Sequence, residues 1–132
     1  MSMFLVNLAA VQTAVATRLP AKYEPLALTF YGLGSRQKGD IITFGSDGAA
    51  ELCVNARDGR VCAKDPSGKA PDRFVNTTFE QFISFFKTYA ECPGTIRPAD
   101  LRPALEAIDR DALGGPGRYW VPLVESVEEE NR

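Results

Sequence analysis

Three carboxylates near turns, Asp47, Glu51 and Asp65, are the side chains of this chain best suited to chemistry. Two acids held together can do glycosidic hydrolysis or support metal-assisted chemistry. A plainer reading outweighs that one: aspartate favours turns because its oxygens accept backbone N–H bonds, and a glutamate on a half-exposed strand is ordinarily solvated. The other reactive groups are Cys53, Cys62 and Cys92, spaced nine and thirty residues apart. They form no Cys-x-x-Cys pair, so no zinc-ribbon or thioredoxin-type signature is present. Their odd number argues against a secreted disulfide framework, and the hairpin register read below sets Cys53 and Cys62 diagonally about 7 to 8 Å apart, too far for an unstrained disulfide, so free thiols are expected. The chain has no histidine, which removes Ser-His-Asp and Cys-His hydrolysis, histidine metal sites and a histidine pH switch. The expectation is a protein without cofactor, metal or catalysis.

The 132 residues, 45% hydrophobic and 24% charged, suit one soluble domain spanning 1–132 with a core of its own. A net charge of -2 leaves no basic excess to displace counterions from phosphates, so direct nucleic-acid binding is not expected. The charge is unevenly spread. Residues 1–73 carry nine basic and seven acidic groups, whereas 74–132 carry six and ten.

The elements that must position these groups begin with an apolar stretch, Met1 to Thr17. It has no Lys or Arg before Arg18 and is interrupted by Asn7, Gln12 and Thr13, so neither a signal peptide nor a membrane span is expected, and the protein reads as cytoplasmic. Phe4, Leu8, Val11 and Val15 share one helical face, which predicts a packing helix that ends before Pro20.

From Tyr23 to Asn76 the period becomes that of a sheet. Leu26, Leu28 and Phe30 alternate with Ala27 and Thr29; Gly32-x-Gly34 breaks the run and Asp40 to Phe44 resumes it. The Gly-x-Gly lacks the third glycine and the helical pattern of a dinucleotide loop. Gly45-Ser-Asp-Gly48 is a turn, and Asp58-Gly59 predicts a two-residue hairpin turn between Ala50–Arg57 and Arg60–Asp65. In that register Arg57 faces Arg60 and Cys53 faces Lys64, with Cys53 and Cys62 diagonal. Leu52, Val54, Ala56, Val61 and Ala63 form the core face, and Cys53, Asn55, Arg57, Arg60, Cys62 and Lys64 the open one. Arg73–Asn76 is a short last strand.

Helices follow. Thr77-Thr-Phe-Glu80 has capping-box spacing, and Thr78–Gln81 repeats it one residue later. Phe79, Phe82, Ile83, Phe86 and Ala90 form an apolar stripe that Cys92-Pro93-Gly94 ends. Asp100 can cap a helix carrying Leu101, Leu105 and Ile108, with Pro103 in its first turn. After Gly114-Gly-Pro-Gly117, a last helix carries Tyr119, Trp120, Leu123, Val124 and Val127. Glu128 to Glu130 oppose its dipole and should fray into a solvated tail. Strands joined by short turns must be antiparallel, so the fold class is α+β: a bent antiparallel sheet of four to six strands with helices packed on one face.

Four segments in this order resemble the SUKH superfamily of bacterial immunity proteins, its fourth group in particular: Phe44-Gly-Ser-Asp-Gly-Ala-Ala-Glu-Leu52, Arg57-Asp-Gly-Arg-Val61, Phe74-Val-Asn-Thr-Thr-Phe-Glu-Gln-Phe82, and Leu105–Leu113 followed by Tyr119-Trp120. The resemblance covers residues 40–127; Ala49-Ala50 stands where the family has a glycine run, Glu51 where it has an acid, and residues 1–39 match poorly. It implies a SUKH-like α+β fold and an antidote that binds and blocks a toxin delivered between bacteria, often a nuclease or a nucleic-acid deaminase. No catalysis, membrane partner or direct nucleic-acid partner is implied, and a monomer or a homodimer would serve.

The acidic half could then mimic nucleic acid toward a basic toxin surface and speed encounter. The competing reading is an interaction or regulatory module of the same fold with no toxin partner. The expected contact residues are the open hairpin face and its rims: Asp47, Glu51, Asn55, Arg57, Asp58, Arg60 and Lys64. Arg57 and Arg60, opposite each other, would repel, and an acidic or carbonyl-rich partner would relieve that cost.

Overall fold

The computed structural model describes residues 4–131. The chain is α+β and divides into two compact units, Met1–Asp72 and Arg73–Arg132.

The first unit opens with α1, Leu8–Arg18, whose N-cap Asn7 accepts the Ala10 N–H at 2.8 Å. This side chain satisfies an amide that the helix itself leaves unpaired. Val11 and Val15 are buried as the periodicity predicts, but Phe4 lies ahead of the cap and is exposed. The cap sets the start at Leu8, four residues after the Phe4 with which the apolar pattern opens. Met1 to Met3 of the expected helix lie outside the described residues. Gln12 fixes α1 to the turn at Gly32–Gly34 by donating from Nε2 to the Leu33 and Ser35 carbonyls.

Six strands follow: β1 Lys22–Tyr23, β2 Leu28–Phe30, β3 Arg36–Lys38, β4 Ile41–Ser46, β5 Glu51–Asn55 and β6 Val61–Lys64. Their neighbours are antiparallel throughout, in the order β1-β2-β4-β5-β6 with β3 also on β4. With β7 of the second unit there are seven strands among the described residues, one above the expected range. The two-residue β1 and the three-residue β3 are too short for alternation to reveal. Leu26 is not in a strand: Glu24–Leu26 is a 3-10 turn that Ala27 closes at φ 55°. Ile42, Phe44, Leu52, Val54, Val61 and Ala63 are essentially fully buried on one face, a burial worth roughly 1.5–3 kcal/mol for each of the larger side chains.

A bulge between Thr43 and Gly45 shifts the β4–β5 register, and such bulges bend the strand that carries them. Gly45 is required there because a Cβ would stand 2.8 Å from the Thr29 carbonyl oxygen and 3.2 Å from Phe30 Cδ1. The β5–β6 hairpin departs from the expected register. Val54 faces Val61, Cys53 faces Cys62, and Glu51 faces Lys64. Arg57 and Arg60 are therefore not opposite each other, and the cysteines are direct cross-strand partners rather than diagonal ones.

The cause is Asn55. Its Oδ1 accepts the Arg57 N–H at 2.9 Å, and its carbonyl accepts the Gly59 N–H at 2.7 Å, while its own N–H donates to the Arg60 carbonyl. The loop is thus Ala56–Gly59, a helical-type turn in which Gly59 alone needs positive φ, at 79°. A two-residue shift preserves the pleat, so the core and open faces keep the predicted residues within the strands.

The second unit comprises β7 (Arg73–Asn76), α2 (Phe79–Ala90), α3 (Pro98–Ile108) and α4 (Val121–Glu130). Thr78, not Thr77, caps α2 by accepting the Gln81 N–H, because Thr77 gives both its N–H and its hydroxyl to Asp109. Helix α3 begins at Pro98, with Arg97 as N-cap and Asp100 inside the first turn. Pro103 therefore falls in the second turn rather than the first and removes one backbone bond there. Tyr119 and Trp120 precede α4 rather than belonging to it. Trp120 is fully buried among Phe82, Phe85, Tyr89 and Tyr119. The glutamates expected to fray continue α4 to Glu130, and Arg102 grips Glu128 through two bonds of 2.9 Å. Among the described residues no helix is long and apolar enough to cross a membrane.

Candidate functional site

The open face of the first unit's sheet is hollowed into a groove of about 650 Å³. Strand pleating decides its lining, since alternate residues of each strand reach the same side. Arg36 and Lys38 of β3 form one wall, and Ile41 and Thr43 of β4 the floor. Glu51 and Cys53 of β5 and Lys64 of β6 complete it.

Two of the expected contact residues meet here, Glu51 and Lys64, as direct cross-strand partners. The others lie outside the groove. Asp47 sits in the β4–β5 turn, where its Oδ1 accepts the N–H groups of Ala49 and Ala50 at 2.9 and 2.7 Å. Gly48 beside it takes φ 92°, so the Gly-Ser-Asp-Gly run is accounted for as turn chemistry. Asn55 and Asp58 shape the hairpin tip, Asp58 accepting the Arg60 N–H at 2.9 Å. Arg57 forms an ion pair with Asp40 at 2.8 Å, with both side chains well exposed, and Arg60 is exposed at the tip.

Arg36 and Lys38 were not anticipated, although a signal for them exists. Lys38-Gly39-Asp40-Ile41 is itself a hairpin turn: Lys38 faces Ile41 and Gly39 has φ 61°, the positive value a II′-type turn needs at its first central residue. A strand of Arg36-Gln37-Lys38 then places both cations on one side.

The groove's charges are only partly neutralised. Lys64 Nζ donates to Asp72 Oδ2 at 2.6 Å, which raises the lysine's pKa. Arg36, Lys38 and Glu51 have no ion-pair partner among the described residues. Burial pushes the Cys53 thiol pKa up, against a smaller opposing effect of its contact with the Thr43 hydroxyl. Burial likewise raises Cys62, with Asp72 adding to the effect. All three cysteines are free thiols and stay protonated at neutral pH, which makes them poor nucleophiles.

Asp65, the third candidate acid, is occupied in a turn. Its oxygens accept the N–H groups of Ser67 and Ala70 and the Ser67 hydroxyl, which hold its carboxyl below the usual range. Among the described residues no cluster of acids and cysteines could hold a metal ion. The arrangement offers charges without ion-pair partners around a partly apolar floor, which is the chemistry of recognition.

Residues 21–126 match the family model described as SUKH-4 immunity protein. No curated protein and no solved structure matches the chain.

Proposed function

Because the chain belongs to the SUKH-4 immunity protein family, we propose that it binds and neutralises a toxin delivered between competing bacteria. The toxin domain is a nuclease or a nucleic-acid deaminase, and the protein acts by occupying its surface in the cytoplasm of the cell it protects. Family membership carries this reading. Arg36, Lys38 and Glu51 support it, since charges with no ion-pair partner among the described residues can pair with a complementary surface without first breaking an internal bond.

Contact extends from the groove, through Glu51 and Lys64, to the hairpin tip with Asn55, Arg57, Asp58 and Arg60, and to Asp47 on the neighbouring turn. The exposed glutamates of α4, Glu125, Glu129 and Glu130, suit the basic surface that a nucleic-acid enzyme presents. Action by binding agrees with the raised thiol pKa values and with the commitment of Asp47 and Asp65, two of the three candidate acids, to turns.

The test is co-expression with nuclease and deaminase toxin domains taken from the genome that carries this gene. Growth restored together with a stable one-to-one or two-to-two complex supports the reading. Growth arrest that the chain leaves unrelieved, with no complex on size exclusion, contradicts it.

A further inference from the structure

The second unit holds a cleft of about 470 Å³ that none of the expected contact residues lines. Two dipeptides build it, crossed against each other. Arg73 lies over the ring of Tyr119 at 5.1 Å, Arg118 lies over the ring of Phe74 at 4.6 Å, and the Tyr119 N–H donates to the Phe74 carbonyl at 3.0 Å between them. Each guanidinium is thus clamped on an aromatic face. Stacking of this kind leaves the edge N–H groups of the fork free for a bidentate acceptor and removes much of the rotamer entropy that binding would otherwise cost.

Neither arginine has a carboxylate partner among the described residues. Their neighbour Arg102 contrasts with them: it also lines the cleft, but its fork is filled by Glu128. The remaining lining is largely apolar, with Leu113, Pro116, Val121 and Pro122. A flat, two-oxygen acceptor carried on a partly apolar segment matches this surface. Glu125 also lines the cleft, and it repels a doubly charged phosphate more strongly than a singly charged carboxylate.

We infer that this cleft recognises an aspartate or glutamate side chain on an exposed segment of a protein partner, with Arg73 and Arg118 gripping the carboxylate. As a second contact for the toxin the assignment deepens the binding function proposed above and rests on it. Its test uses a peptide instead of the toxin, so failure of the cleft is distinguishable from failure of the immunity reading.

The experiment follows the arginine Nε–Hε resonances of the full chain by NMR. The probe is an amidated peptide of about eight residues with glutamate at alternate positions; its glutamine counterpart and inorganic phosphate serve at matched ionic strength. Saturable shifts of Arg73 and Arg118, with Arg102 unmoved and the glutamine peptide about tenfold weaker or worse, support the assignment. Arg118→Lys keeps the charge and loses the fork, so it should weaken the glutamate peptide several-fold while the folded spectrum persists. Equal response to the two peptides, no saturable shift, or tighter binding of inorganic phosphate than of the glutamate peptide overturns it.

Discussion

The indole N–H of Trp120 donates to Asn76 Oδ1 at 2.9 Å, and the amide of the same asparagine donates to Asp109 Oδ2 at 3.0 Å. A fully buried tryptophan, a fully buried asparagine and a nearly buried carboxylate are thereby joined, with Thr77 completing the set through its N–H and hydroxyl. The network ties the end of β7 to the end of α3 and the approach to α4. Every polar group in it is satisfied, the condition under which a buried network stabilises rather than costs.

Asn76→Ala should therefore lower stability by about 3 kcal/mol, because it leaves the indole N–H unpaired and removes one donor from a buried carboxylate. Urea unfolding should show the midpoint falling with the slope unchanged. A loss under about 0.5 kcal/mol, the level of an ordinary surface change, would contradict the network's role.

Gly45→Ala should cost roughly 1–3 kcal/mol, since the new methyl meets the backbone oxygen of Thr29, which cannot swing aside. Gly48→Ala tests a different requirement: open space surrounds that position, but φ is 92°. Thermal melts of the two variants separate close approach from backbone conformation, and an unaffected Gly45→Ala would mean that β2 and β4 are not held so tightly.

The core face and the antiparallel sheet were legible because pleat alternation survives small errors of register; the thiols are free although the diagonal placement expected to keep them apart does not hold. Leu52, Val54, Val61 and Ala63 stay together under a two-residue shift. What misled was Asp58-Gly59, whose reading as a two-residue turn ignored Asn55 as a side-chain acceptor that rolls the chain through two more residues. The groove was only half legible. Glu51 and Lys64 followed from the hairpin, whereas Arg36 and Lys38 sit on a strand too short for periodicity and announced only by Gly39-Asp40. Arg73 and Arg118 lie 45 residues apart in sequence, and only the folded chain shows that each stacks on the other's neighbour.

The Asp65 turn should respond to acid alone. A carboxyl whose folded pKa lies below its unfolded value contributes stability that is complete above the unfolded value and is lost as pH falls through the folded one. The Ser67 and Ala70 amide protons should therefore titrate with a midpoint below the usual aspartate range. A midpoint at or above that range, or the same acid-side change in Asp65→Asn, would contradict the hydrogen-bonded turn.

The thiols should react slowly at neutral pH, Cys53 slowest of all because it is 2% exposed and its pKa is raised by burial. A thiol assay in denaturant should find all three. Recovery of one thiol would mean that Cys53 and Cys62, which face each other across β5 and β6, are bonded.

Charge reversal of Arg36 and Lys38 together should weaken toxin binding at least tenfold and flatten its salt dependence, while the melt is nearly unchanged because both side chains are exposed. Reversal of Arg57 and Arg60 tests the hairpin tip in the same assay. Unchanged affinity in the first pair would remove the groove from the interface, and unchanged affinity in the second would remove the tip.

The central claim is protection, and a growth competition measures it most directly. A strain lacking this gene, grown in contact with its toxin-producing parent, should be outcompeted by orders of magnitude and rescued by the wild-type chain supplied on a plasmid. Rescue should fail with a variant that no longer binds the toxin domain. Equal survival of the deleted strain beside a parent shown to deliver its toxin would contradict the immunity function outright.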